Sequence, residues 1–170
     1  VSNGTSANTI TESAEESDTE YTSIGDDENA LRIDSAEAVL ANITVNKNGG
    51  SSSNTENGDF YGMNAGLLAA NGAKVIISDS TFNTGAVNGN AVFSYGEGTS
   101  VMISDSVIRT TERNSGGIQT TGGGTMTANN LDVETQGNSS AAVRTDRGGG
   151  TVTVNGGKYV TNGTGSPAVY

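Results

Sequence analysis

The chain of 170 residues has no cysteine, histidine or tryptophan and a single proline. Without cysteine there is no disulfide framework to read, and the redox compartment is left open. Without histidine the commonest general base and metal ligand are missing. Basic residues are scarce, eight Lys plus Arg against 19 Asp plus Glu for a net charge of -11, and they form no stripe. That balance argues against nucleic acid and against an anionic membrane surface as partners. No apolar run approaches the ~20 residues that span a bilayer. Aromatic residues make up 5% of the chain and apolar residues 32%, a composition that taken alone would suggest disorder.

What is present overrides that suggestion. Val75-Ile76-Ile77-Ser78-Asp79-Ser80-Thr81-Phe82-Asn83-Thr84 returns as Val101-Met102-Ile103-Ser104-Asp105-Ser106-Val107-Ile108-Arg109-Thr110, then more loosely from Met126 and from Val152. The starting positions lie 26, 25 and 26 residues apart. Short alternating runs at a fixed period of this length are the signature of a solenoid. Three apolar columns follow. The first reads Leu31, Leu67, Val92, Ile118, Val143, Val169; the second Ala38, Val75, Val101, Met126, Val152, with Leu40, Ile77, Ile103, Ala128, Val154 two residues on; the third Tyr21, Val45, Phe82, Ile108, Val133, Tyr159. Glycine turns such as Gly96-Glu97-Gly98 and Gly122-Gly123-Gly124 separate stations one and two, and polar corners such as Ser78-Asp79 and Asn129-Asn130 separate two and three. Apolar residues at i and i+2 mark half-buried strands. The expected fold is therefore all-β, a single-stranded parallel β-helix of about 25–26 residues and three short strands per coil, with right-handed winding as the default. A solenoid buries only a thin rod of side chains, so it folds with few hydrophobes.

The repeat ISDSxΦxT (Φ apolar), the Gly-rich corners and the segment Gly25-Asp26-Asp27-Glu28-Asn29-Ala30-Leu31 resemble the right-handed β-helix modules of large adhesin-like exoproteins of gut bacteria. More distantly the chain is similar to the pectin-lyase-like superfamily. The resemblance covers residues 20 to 170 and specifies architecture far more than activity. It implies an extracellular location, secreted or attached to the cell surface, and the Thr/Ser/Asn/Gly bias suits that. The chain starts at Val1 without Met, as a mature form or an excerpt would.

Residues 1–20 are expected to form an acidic N-terminal arm or cap, with Thr9-Ile10-Thr11 as a short strand, and residues 21–170 the β-helix. The insertion at 48–62 ends in Asp59-Phe60-Tyr61, an aromatic pair beside a carboxylate. Such a surface either stacks on a sugar ring or folds back to pin the insertion to the coil. The final coil stops inside station one at Ala168-Val169-Tyr170 with no polar cap, which points to continuation of the chain or to another chain stacked there.

Candidate chemistry is sparse. Asp26, Asp27 and Glu28 could offer oxygen ligands to calcium, although neither EF-hand nor nonapeptide spacing is present, and a solvated acidic turn is the simpler reading. Otherwise no cofactor is expected. Asp79 and Asp105 share a column and could stand one coil apart as paired carboxylates, but Asn130 and Gly156 continue that column, and corner capping is the simpler account. The column Thr84, Thr110, Thr135, Thr161, preceded by Ser23 and Lys47, invites an ice-binding reading, which Lys74, Ile76, Ser100 and Met102 interrupt in the companion array. Arg144 and Arg147 flank Asp146 as a surface ion pair of little worth. The expectation is a non-catalytic adhesin-like structural module, contacting a glycan or protein of a host or neighbouring cell and self-associating through its coil ends. Insertion into a membrane is not expected. The competing expectation is a polysaccharide-binding or polysaccharide-degrading β-helix protein.

Overall fold

Strands with period-two burial need a face to bury, and here each coil supplies that face to the next. The computed structural model describes residues 2–170, which wind through three six-stranded parallel sheets. The station-one sheet contains Thr9–Ile10, Leu31–Asp34, Leu67–Ala70, Val92–Tyr95, Ile118–Thr121 and Val143–Thr145. The station-two sheet contains Ala14–Ser17, Glu37–Ala41, Lys74–Ser78, Ser100–Ser104, Gly124–Asn129 and Gly150–Asn155. The station-three sheet contains Glu20–Ser23, Thr44–Lys47, Thr81–Thr84, Val107–Thr110, Asp132–Thr135 and Lys158–Thr161. Every sheet keeps the order of the chain, so the fold is a parallel β-helix of about 26 residues per coil and three strands per coil.

The register matches the columns residue for residue. Leu31 pairs with Leu67, Leu67 with Val92, Val92 with Ile118, Ile118 with Val143, and Val143 bridges to Val169. Tyr21, Val45, Phe82, Ile108, Val133 and Tyr159 form the second wall of the same core. Ala38, Val75, Val101 and Met126 form the third. Parallel strands stack at about 4.8 Å, so like residues become continuous ladders.

Residues 2–20 do not stand off as an arm. They wind as a first coil, with Ala14 paired to Ala38 and Tyr21 to Val45, while Thr5–Ser6 forms a small separate ladder with Glu28–Asn29. Glu16 occupies the interior column against Leu40 and remains exposed at the uncovered end. A charge at that position blunts a bare strand edge.

The corners between stations two and three need a left-handed backbone. Asp18, Asn42, Asp79, Asp105 and Asn130 occupy it with φ of 51–55°, and Gly156 follows at 65°. Asx residues tolerate this region better than other L-residues. Their side chains also climb the stack: the Asn42 amide donates to Asp18 Oδ1 at 2.7 Å, and the Asn130 amide to Asp105 Oδ1 at 3.0 Å. The corner between stations three and one has its own left-handed column, Asn64, Asn88, Asn114, Ser139 and Gly165, at 24, 26, 25 and 26 residues. Beside it runs a serine ladder, in which the Ser115 N–H donates to Ser140 Oγ at 3.0 Å and the Ser140 N–H to Ser166 Oγ at 2.9 Å.

The threonine column faces inward. Ser23, Lys47, Thr84, Thr110 and Thr135 are all buried, and the Thr110 hydroxyl donates to the Ser115 carbonyl at 2.6 Å. An ice-binding array must meet water, so this column cannot be one. It lines the inside of a corner.

Candidate functional site

The 48–62 insertion is where the structure departs most from the expectation of a loop. It contains a short helix, α1 (Thr55–Tyr61). Asn54 caps it, its side chain accepting from the Asn57 N–H at 3.0 Å, Glu56 stands in the first turn, and Gly62 closes it with φ of 73°. Gly58 is inside the helix because of a close approach: a Cβ there would stand 2.7 Å from the Asn88 side chain. A glycine in mid-helix, followed by Asp59, hides the helix from propensity alone.

α1 lies on the outer face of the station-one sheet. That explains why Leu67–Ala70 is buried on both faces, with Leu68 and Phe93 forming a second small apolar cluster outside the main core. Tyr61 stands edge-on to Tyr95, ring centroids 5.5 Å apart, and the Arg147 guanidinium sits 4.1 Å over the Phe60 ring. The Thr121 hydroxyl donates to the Phe60 carbonyl. Phe60 and Tyr61 therefore hold the insertion to the coil. Arg147 also approaches Glu56 at 3.5 Å, and Arg144 donates both to Asp146 at 2.9 Å and to the Asp59 carbonyl at 2.6 Å. Both arginines clamp α1, and of the two only Arg144 forms an ion pair with Asp146.

Asp59 points the other way, toward the corner column. Its Oδ1 accepts from the Asn88 amide at 2.8 Å, and the Asn114 amide reaches both carboxylate oxygens at 3.3–3.4 Å. Burial pushes the Asp59 carboxyl above its ordinary range, partly opposed by the charge of Arg144 and the two amides. Asp59 stands at the rim of a cleft of about 250 Å³ bounded by α1, the Asn114 and Ser139 corners, Arg144 with Asp146, and Pro167 with Tyr170. Of this set the sequence offered only Asp59 as a ligand contact; Arg144 and Asp146 read there as a surface ion pair and Tyr170 as part of an uncapped coil. The corner column Asn88, Asn114, Ser139 carries a 25–26-residue spacing that could have revealed the rest of this wall.

Asp26, Asp27 and Glu28 do not converge. Asp26 Oδ1 accepts from the Ser51 N–H at 2.9 Å, Asp27 Oδ1 from the Ser53 N–H at 2.6 Å, and Glu28 Oε1 from the Ser23 hydroxyl at 2.6 Å. Asp26 and Asp27 fasten the start of the insertion, and the charges of all three act on Lys47, whose ammonium donates to Ser23 Oγ at 3.0 Å and to the Gly25 carbonyl at 2.6 Å. Among the described residues no three acidic side chains are placed to hold a metal ion.

Asp79 and Asp105 are the left-handed corner residues described above. Asp105→Asn should leave the thermal midpoint unchanged, while Asp105→Val should cost about 1–2 kcal/mol, because a β-branched side chain resists positive φ. Thermal melts of the two variants check this, and equal loss in both would remove the corner account.

No protein-family model, curated protein or solved structure matches this chain. Among the described residues no helix is long and apolar enough to cross a membrane.

Proposed function

We propose that this chain is a non-catalytic structural module of the adhesin-like, right-handed β-helix kind, secreted or held at a cell surface. It attaches to a glycan or protein of a host or neighbouring cell. The observation that carries this reading is a ladder interrupted once: one appendage, α1, is docked on one outer face and borders a polar cleft. The mechanism is passive. Backbone ladders and a thin aliphatic rod give stiffness, and the α1 face gives a contact surface fixed in position. Corner carboxylates bonded to the asparagine of the next coil, as in Asp105 with Asn130, support a structural use of that column.

A glycan array run beside a reducing-sugar release assay tests the proposal. Saturable binding without release of reducing ends is expected. Sugar release that disappears in a folded Asp105→Asn variant would replace this reading with the polysaccharide-degrading one. Self-association through coil ends belongs to the same proposal. Sedimentation that finds only monomers of the full natural protein removes that part.

A further inference from the structure

The cleft beside α1 is built from groups that are distant in sequence and incompletely partnered. On one side Asp59 Oδ2 has a single long contact, from Asn114 at 3.3 Å, although an ionised carboxylate accepts about four hydrogen bonds in all. Below it lies Gly116, where a Cβ would stand 2.7 Å from Gln119 Oε1 and 3.4 Å from Asn90 Oδ1. Gln119 is fully buried, its amide nitrogen donates to the Val92 carbonyl at 2.8 Å, and its Oε1 meets no donor among the described residues. On the other side are donors, the Arg144 guanidinium and the Ser139 hydroxyl, and an apolar wall of Ala141, Pro167 and the Tyr170 ring.

We propose that this cleft is a subsite for one neutral sugar ring of a glycan. The inference rests on the adhesive reading above and names the chemistry of its contact. A ring bearing neighbouring hydroxyls fits a mixed wall because each hydroxyl donates and accepts at once, to Asp59 on one side and from Arg144 and Ser139 on the other. The ring's apolar C–H face suits the Tyr170 side chain, which lines the cleft. A cation fits less well. Asp146 is already paired with Arg144 at 2.9 Å, and the same arginine sits beside Asp59, so the carboxylates have a counter-charge. The volume, about 250 Å³, lies just under the range of drug-sized pockets and suits a single ring.

The test uses the full chain titrated with glucose, galactose, mannose and N-acetylglucosamine and their short oligomers, followed by backbone amide NMR. At least one sugar should shift amides confined to Asp59, Asn90, 114–116, 139–146 and 165–170, with a Kd on the order of 1 mM for a ring of about a dozen heavy atoms. Tyr170→Ala should weaken binding about tenfold, the loss of one stacking face. Asp59→Asn keeps an oxygen for the Asn88 amide and replaces the free acceptor with a donor, so it should abolish saturable shifts while the protein stays folded. Several outcomes overturn the proposal: no shifts with any sugar, shifts outside the cleft, indifference to both substitutions, or saturable binding of a primary amine such as putrescine in place of sugar. Attachment on the glycan array that survives both substitutions would sink the subsite and leave the adhesive reading in place. A wild-type chain that attaches to no glycan, protein or cell surface would remove that reading, and sugar shifts in the cleft would stand independently of it.

Discussion

Phe82→Ala is expected to lower the unfolding free energy by about 3–5 kcal/mol, the cost of truncating a fully buried aromatic ring. Phe82 is completely inaccessible and stands in the interior ladder between Val45 and Ile108. Coils above and below hold the walls apart, so the site cannot collapse onto the space left by the ring. In a solenoid each coil is stabilised mainly by its neighbours, and a weakened coil uncouples the turns on either side. Against a typical total of about 5–15 kcal/mol, the loss is a large fraction. Ile76→Thr provides the contrast. Ile76 is as apolar but stands 51% exposed on the outer face of the station-two sheet, between Val39 and Met102. Threonine keeps the β-branch that suits a strand, so its change should stay within about 0.5 kcal/mol. Urea unfolding of the two variants reads the difference as a shift in midpoint. Comparable losses from both would mean that the inside and outside of the strand have been assigned wrongly.

The contrast shows why so much of the fold was legible in sequence. A side chain's face is set by a period of two and its vertical neighbour by the coil length, so Leu67, Val92, Ile118 and Val143 can be aligned by arithmetic alone. The corner position of Asp79 and Asp105 was legible for the same reason, but not their part in it: both sit at positive φ, and no backbone N–H among the described residues is bonded to their carboxylates. The first coil was harder to see because Glu16 replaces an interior apolar residue at the end of the stack, where the usual pattern is relaxed. The helix α1 was hidden because what stabilises it is not local. Its inner glycine is there for Asn88, and its aromatic residues are held by Tyr95 and Arg147. The cleft is further still from sequence, since Asp59 and Tyr170 line it together only because the coils between them stack. Asp59-Phe60-Tyr61 lies in the segment that borders the cleft, where both rings pack on the coil and the carboxylate lines the cleft.

Lys47 was visible as a member of the threonine column, yet its meaning comes from depth. It is fully inaccessible, and burial lowers its pKa from 10.5 to about 8, against the pull of Glu28, Asp26 and Asp27. The unfolded chain therefore holds more protons than the folded one between pH 8 and 10.5, and stability rises with pH across that window. Below pH 8 the folded protein bears the whole penalty of the buried ammonium, about 3 kcal/mol at this shift. Lys47→Met removes the charge while filling the same channel, and leaves the Gly25 carbonyl without its donor, a loss of about 1–3 kcal/mol that does not depend on pH. The stability of the variant minus that of the wild type should therefore fall by about 3 kcal/mol between pH 7.5 and 10.5, whatever its starting value. The other titratable groups, Tyr21 and Tyr159 with pKa values raised by burial among them, are common to both proteins and cancel in the difference. Denaturant unfolding at four or five pH values measures it. A difference flat with pH would mean that Lys47 titrates as an ordinary lysine, and that the acidic turn at 26–28 compensates its burial in full.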